Sequence, residues 1–267
     1  LIALSVLTTY QHHFIDVPTG ALLGWLVLWA LPRQMTSPFK LGLSDVRSRK
    51  IALLYLLGAC LTALPALLGG AWLWLIWMSV SLLMVAFAYL TGNANVFQKQ
   101  ANGKLSAAAT VLLLPYLVSV RLNMAYWLRG KAKTAPVRND VWIGSVWGIS
   151  NHLPAVLDVC AEYPCRSYQG AYRALPLLDM VTPSENDLVQ TALILETLRQ
   201  KHGKVLACCA LGYGRSAAVV LMWLLVYGGC KDLAQAKAEL KQARPQMVLS
   251  PATAKAVEAA ANRLKQG

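Results

Sequence analysis

Two stretches of the sequence separate a cysteine from an arginine by five residues, Cys160 to Arg166 and Cys209 to Arg215. At that spacing a thiolate can attack phosphorus while a planar guanidinium holds the phosphoryl oxygens. The pattern alone is weak, because chance supplies about 0.3 matches in a chain of this composition. Context decides. The stretch after Cys160 contains Pro164, has no glycine and opens no apolar helix. Cys209 follows the apolar run 205–208, has Gly212 and Gly214 where the backbone can turn its amides inward, and leads into an apolar segment starting at Ser216. A loop of that kind, from Ala210, Leu211, Gly212, Tyr213 and Gly214 to Arg215, makes a nest of N–H groups backed by a helix N-terminus. Such a nest binds a dianion and favours a thiolate at its centre.

The elements that must carry this loop are legible from Asp140 onward. Short β-rich runs at 141–143, 155–159, 174–178 and 205–208 alternate with helical periodicity at 185–201, 216–227, 233–243 and 251–265, which predicts a three-layer α/β domain. The segment 132–139, containing Pro136, reads as a linker. Two acids could protonate a leaving oxygen. Asp179 closes the apolar strand 30 residues before Cys209, whereas Asp187 sits in Ser184-Glu185-Asn186-Asp187, a helix-cap pattern with a structural task.

The segment 205–216 resembles the phosphate loop of the cysteine-dependent protein phosphatases, and Gly212-Tyr213-Gly214-Arg215-Ser216 is most similar to the dual-specificity branch. The likeness extends from Trp142 to the end of the chain and includes Arg244-Pro245 and the Leu-Ser-Pro at 249–251; the His that usually precedes the nucleophile is Cys208 here. The resemblance implies a phosphomonoesterase needing neither metal nor cofactor, with Cys209 as nucleophile, Arg215 and the loop amides on the phosphate, Asp179 as general acid, and Ser216 stabilising the departing thiolate. The uncharged Ala210, Leu211 and Tyr213 favour phosphoprotein substrates. A phospholipid or phosphoinositide headgroup is the alternative substrate, and a non-catalytic phosphate-binding membrane scaffold the alternative role.

The residues ahead of Asp140 are a different material. The chain is 57% apolar and 14% charged, with a mean hydropathy of +0.46. Residues 1–139 carry net +10 and residues 140–267 only +3. The excess of base flanks apolar runs, which argues for a membrane surface and against nucleic acid. The runs 14–31, 51–68 and 71–90 are long enough to cross a hydrocarbon core of about 30 Å, with Gly69-Gly70 turning the second into the third. Arg33, Lys40, Arg47, Arg49 and Lys50 against Asp45 mark the first loop as cytoplasmic. The run 105–120, with Pro115 inside it and Arg121 stopping it, reads as an interfacial or re-entrant helix; were it to span, the following domain would move outside. Six cysteines without CxxC or framework spacing exclude a disulfide scaffold or structural zinc site and fit a reducing compartment.

Residues 5–16 resemble the third signature of the type-2 phosphatidic acid phosphatases, with His12 four residues before Asp16 at the mouth of a membrane helix. That family implies His12 as a nucleophile oriented by Asp16; the other reading is a hydrogen-bonded pair at a helix mouth. The remaining signatures are missing, so this site is incomplete. The expected organisation is a C-terminal fragment of such a domain at 1–32, further transmembrane or interfacial helices at 33–131, the linker at 132–139, and a phosphatase domain at 140–267. An apolar start without Met fits the C-terminal part of a longer protein, and the expected place is a bacterial inner membrane with the phosphatase domain in the cytoplasm. Green fluorescent protein fused after Gly267 should therefore fluoresce and alkaline phosphatase fused there should be inactive; the reverse result would place the domain outside.

Overall fold

The computed structural model describes residues 16–32, 36–40 and 45–266; His12 lies outside them. Helix α1 (Asp16–Ala30) opens with exposed Asp16. Helix α2 (Val46–Ala63) starts at Asp45, whose carboxylate accepts from the Ser48 amide at 2.7 Å. A single-turn segment (Leu64–Leu68), Gly69 and Gly70 at φ +72° and +57°, and a second (Gly70–Trp74) reverse the chain into helix α3 (Leu75–Thr91). Ser48 and Ser79 hydroxyls tie α2 to α3 through the carbonyls of Tyr89 and Ala59. Among the described residues, 46–68 and 70–91 are the two helical runs long and apolar enough to cross a membrane. The described part of α1 is 15 residues, about 22 Å, shorter than those two runs.

The run 105–120 forms two helices, α4 (Ala107–Leu112) and α5 (Leu114–Trp127), with the break at Leu113. Pro115 sits in the first turn of α5, where its missing N–H costs little, and Arg121 does not stop the helix. The C-terminal end of α5 leaves the other helices and lays Met124 and Leu128 against the sheet that follows.

That sheet has five strands: β1 (Thr134–Arg138), β2 (Val141–Ser145), β3 (Ala155–Cys160), β4 (Ala171–Leu177) and β5 (Val205–Cys209), in the order β1-β2-β5-β3-β4. All neighbours are parallel except β1, which pairs antiparallel with β2. The expected linker 132–139 is thus mostly a strand. Pro136 is tolerated because β1 is an edge, and Asn139 and Asp140, both at positive φ, make the tight turn into β2. Helices α6 (Glu185–His202), α7 (Arg215–Val226), α8 (Leu233–Ala243) and α9 (Pro251–Gln266) pack on one face, with α7 buried along nearly its whole length. The expected third layer is not made within 140–267. The opposite face, carrying Val156, Leu206 and Cys208, is covered by the end of α5 and by loops, because side chains alternate and both faces of a parallel sheet need cover.

A buried cation locks the two halves together. Lys99, in the loop after α3, places its ammonium 2.6 Å from Asp158 Oδ2, 2.6 Å from the Cys160 carbonyl and 2.9 Å from the Tyr163 carbonyl. Both charged side chains are fully out of water. Asp158 is further satisfied by the Tyr172 hydroxyl at 2.6 Å and the Cys160 amide at 2.8 Å. Burial works against the Lys99 charge, yet Asp158 outweighs it and holds the lysine pKa above its ordinary value. Removing one member of such a pair strands the other. Lys99→Ala should lower stability by about 3–5 kcal/mol, measured by thermal unfolding in detergent; a loss under ~1 kcal/mol, the range of an exposed pair, would show that the pair does not hold the halves together.

Candidate active site

Cys209 ends β5 opposite Ser145 of β2 and is 2% exposed. From there to the start of α7 the chain forms a loop whose carbonyls are all engaged on its outer side. The Ser145 hydroxyl donates to the Ala210 carbonyl. Arg244, 2% exposed, donates to the Leu211 carbonyl at 2.9 Å and the Gly212 carbonyl at 3.3 Å, and also reaches Ala132 O. The Val248 amide donates to the Tyr213 carbonyl at 2.9 Å, and Ala218 N–H to Gly214 O at 2.9 Å. With the carbonyls bonded outward, the Gly212 amide turns inward and donates to Cys209 Sγ at 3.3 Å. Ser216 Oγ lies 3.4 Å from the same sulfur.

Of the two glycines that distinguish this loop, one is obligatory. Gly212 has φ +78°, and a Cβ there would lie 2.4 Å from the Gly144 carbonyl carbon. Gly214 has φ −108° and the nearest atom to an added Cβ is Val248 O at 3.8 Å, so neither conformation nor space demands glycine there.

Arg215 is 4% exposed. Its two terminal nitrogens form a bidentate pair with Glu162, both bonds 2.6 Å, and Nη1 also donates to the Leu177 carbonyl at 3.0 Å. Burial disfavours both charges, but each partner overcomes it: Glu162 is held below the usual carboxylate range by Arg215, and Arg215 is held well above its own. The end of the guanidinium is therefore spent on Glu162. What stays open is its side edge, where the buried Nε has no hydrogen-bond partner among the described residues, although Asp179 Oδ1 is 3.2 Å away as a charge contact. A buried donor without an acceptor, beside a cysteine sulfur and a nest of amides, is suited to a tetrahedral oxyanion.

Asp179, half exposed, faces the same cleft of about 590 Å³ as Cys209 and Arg215. Asp187 does not: its amide donates to Ser184 Oγ at 3.1 Å, and the Ser184 hydroxyl returns a bond to its carboxylate at 2.7 Å, the cap of α6. Cys160 is wholly buried in β3 and Arg166 exposed, so that pair is no loop. Cys208, on the far face from Cys209, is a buried thiol whose pKa burial pushes well up. Asp16 stands at the start of α1, and His12 lies outside the described residues.

Glu162, Arg244 and Ser145 escaped the sequence reading of the site. Glu162 had one signal, an acid directly after a buried apolar strand. The cleft also takes Arg47 from the first turn of α2 and Trp127 and Lys131 from the end of α5 and beyond, which no local pattern announces.

Gly212→Ala should keep the α/β fold but deform the loop. Backbone strain of about 1–3 kcal/mol corresponds to roughly a 5- to 150-fold loss of vanadate affinity, read by inhibition of turnover or by calorimetry; Gly214→Ala should stay within about threefold.

Residues 149–261 match the family model described as the catalytic domain of dual specificity phosphatases. No curated protein matches the chain. Among solved structures, a mouse putative dual specificity phosphatase complexed with zinc tungstate is 22% identical, covers 50% of this chain and 89% of its own, and has a TM-score of 0.45. Human DUSP28 is 21% identical, with 50% of this chain and 96% of that one covered and a TM-score of 0.46. Residues 149–261 are a dual-specificity phosphatase catalytic domain, and the chain is a cysteine-dependent phosphatase.

Proposed function

We propose that the chain is a membrane-anchored phosphomonoesterase working through a cysteinyl-phosphate intermediate. The observation that carries this is the convergence, in one cleft, of Cys209, the Nε of Arg215 and the carboxylate of Asp179 that makes a charge contact with it. The phosphate dianion enters the nest, and its oxygens take the loop amides and the side edge of Arg215. Asp179, displaced from Arg215 by a phosphate oxygen, takes up a proton from water and turns to the leaving group. Cys209 Sγ forms a bond to phosphorus as the bond to the ester oxygen breaks, and Asp179 gives that oxygen its proton. The resulting carboxylate takes a proton from water, whose oxygen attacks phosphorus. The sulfur leaves as a thiolate, with Ser216 donating to it across the 3.4 Å contact. Every group needed for these steps is a side chain or amide of this chain, so no metal or cofactor has a place in them.

The anchor in this reading is the α2–α3 hairpin. Leu53, Leu54, Leu57, Leu61, Leu67 and Leu68 are each more than half exposed, a surface that water does not tolerate over such an area. Arg47, Arg49 and Lys50 at the start of α2 put that end, and the cleft beside it, on the cytoplasmic side.

Cys209→Ser should abolish turnover of para-nitrophenyl phosphate by the detergent-solubilised full chain, because a hydroxyl keeps the loop shape but is not ionised near neutral pH; more than a few per cent of residual rate would refute the assignment. The full chain is required, since β1, Trp127 and Lys131 complete the sheet and the cleft. Asp179→Asn should slow esters with poor leaving groups by ~10²–10⁴-fold and activated esters much less. Equal losses on both would make Asp179 a structural partner of Arg215. Asp187→Asn should cost about 1 kcal/mol of stability and leave the rate unchanged.

A further inference from the structure

The uncharged phosphate loop by itself favours phosphoprotein, but the loop is only the floor of the cleft. Its walls come from the other half of the chain. Arg47 belongs to the first turn of α2, Trp127 ends α5, and Lys131 follows it. Lys131 Nζ sits 5.6 Å from the Trp127 ring centre and 5.7 Å from that of Tyr213, held by aromatic faces and not by a carboxylate. Tyr213, which donates to the Trp127 carbonyl at 3.1 Å, joins that wall to the phosphate loop. Arg47 is exposed and is in no ion pair with an acid among the described residues. Among the described residues lining the cleft, Asp179 is the only acid, against Arg47, Lys131 and Arg215.

The position of Arg47 carries the argument further. Within two turns of it the surface of α2 becomes the exposed leucine face that starts at Leu53, so Arg47 stands where apolar surface gives way to charge. On a bilayer that level is the headgroup layer. The cleft that Arg47 lines also presents exposed Met180, Trp127 and Val248, 57%, 47% and 67% open, apolar groups with no evident task in water. The strand-end loop bearing Asp179 is seated on the same helices: Leu178 and Ala161 are buried in one cluster with Tyr89, Phe97 and Tyr116. The cleft is thus fixed to these helices and cannot be separated from them without breaking that cluster and the Lys99 pair.

Resting on the phosphatase reading above, we infer that the substrate is a membrane lipid whose headgroup ends in a phosphomonoester, dephosphorylated in the plane of the bilayer, with Arg47 and Lys131 receiving the headgroup's charge and the Met180, Trp127 and Val248 rim meeting its apolar part. Hydrolysis is the reaction already written: water supplies the oxygen, and inorganic phosphate and the lipid alcohol leave.

The test uses the full chain in phosphatidylcholine vesicles. Three substrates are compared: phosphatidic acid in the vesicle, glycerol 3-phosphate in solution, and a phosphotyrosine peptide. Para-nitrophenyl phosphate is the reference and Cys209→Ser the blank, which also removes any contribution from His12. Vesicle phosphatidic acid should be hydrolysed with a kcat/KM at least tenfold above both soluble substrates. Arg47→Ala should lower kcat/KM for the lipid about fivefold more than for para-nitrophenyl phosphate, the effect of one basic residue at an anionic surface. Greater activity on the peptide than on the lipid would overturn the inference in favour of a phosphoprotein, and equal activity on phosphatidic acid and glycerol 3-phosphate would show a phosphate site indifferent to the membrane. Turnover of para-nitrophenyl phosphate without turnover of the lipid defeats this inference alone. No turnover of any substrate would defeat the phosphatase reading beneath it.

Discussion

A guanidinium taken almost wholly out of water must find acceptors in every direction except the one it uses. Arg215 meets that demand with Glu162 across its terminal nitrogens and the Leu177 carbonyl beside them. The pair leaves a net charge near zero in the interior while the side edge of Arg215 keeps its directionality toward the cleft. Such a pair adds little to stability, since desolvation consumes most of the Coulomb gain. Its effect is geometric. The guanidinium is locked at the N-terminus of α7, and with it the direction in which an oxyanion is received.

Glu162 can do this only if the segment after β3 stays in place, and that segment is bound from the other half of the chain. Lys99 bonds to the carbonyls of Cys160 and Tyr163, on either side of Glu162, while Ala161 packs among the helices. The order of support therefore runs from the loop after α3, through Lys99 and the 160–163 backbone, to Glu162 and Arg215. This explains why the two halves share a buried ion pair where a flexible tether would suffice for anchoring alone. The same dependence appears on the far side of the sheet, where α5 supplies the apolar cover that the domain does not make for itself.

The phosphate loop is shaped by a different economy. Five successive carbonyls, from Ala210 to Gly214, are each bonded outside the nest, by a hydroxyl, by Arg244, by a distant amide and by the first turn of α7. A loop with no repeating hydrogen-bond pattern of its own is held as firmly as a helix by this accounting. With its carbonyls so engaged, the loop can turn the Gly212 amide inward to Cys209 Sγ.

Local signals were enough for much of this. Cys209, Arg215, the strand before them and the helix after them are contiguous, so the strand–loop–helix unit could be read directly, as could the Ser184–Asp187 cap; the strand expected to close at Asp179 ends two residues earlier, at Leu177. Residues 141–145, 155–160 and 205–209 are short apolar runs because they are buried on both faces, a property written into composition. What the sequence could not contain were facts set by pairs of distant residues. Pro136 argued for a linker, and only the edge position of β1 made it a strand. Gly212 and Gly214 look alike in sequence; the close approach of Gly144 makes one indispensable and leaves the other free. Glu162 is 53 residues from the arginine it holds, and Arg47 and Lys131 reach the cleft from basic stretches that in sequence only flank apolar runs. Chemistry carried by neighbours in the chain is visible in one dimension, whereas charge compensation, close packing and the walls of a cleft come into being when distant segments meet.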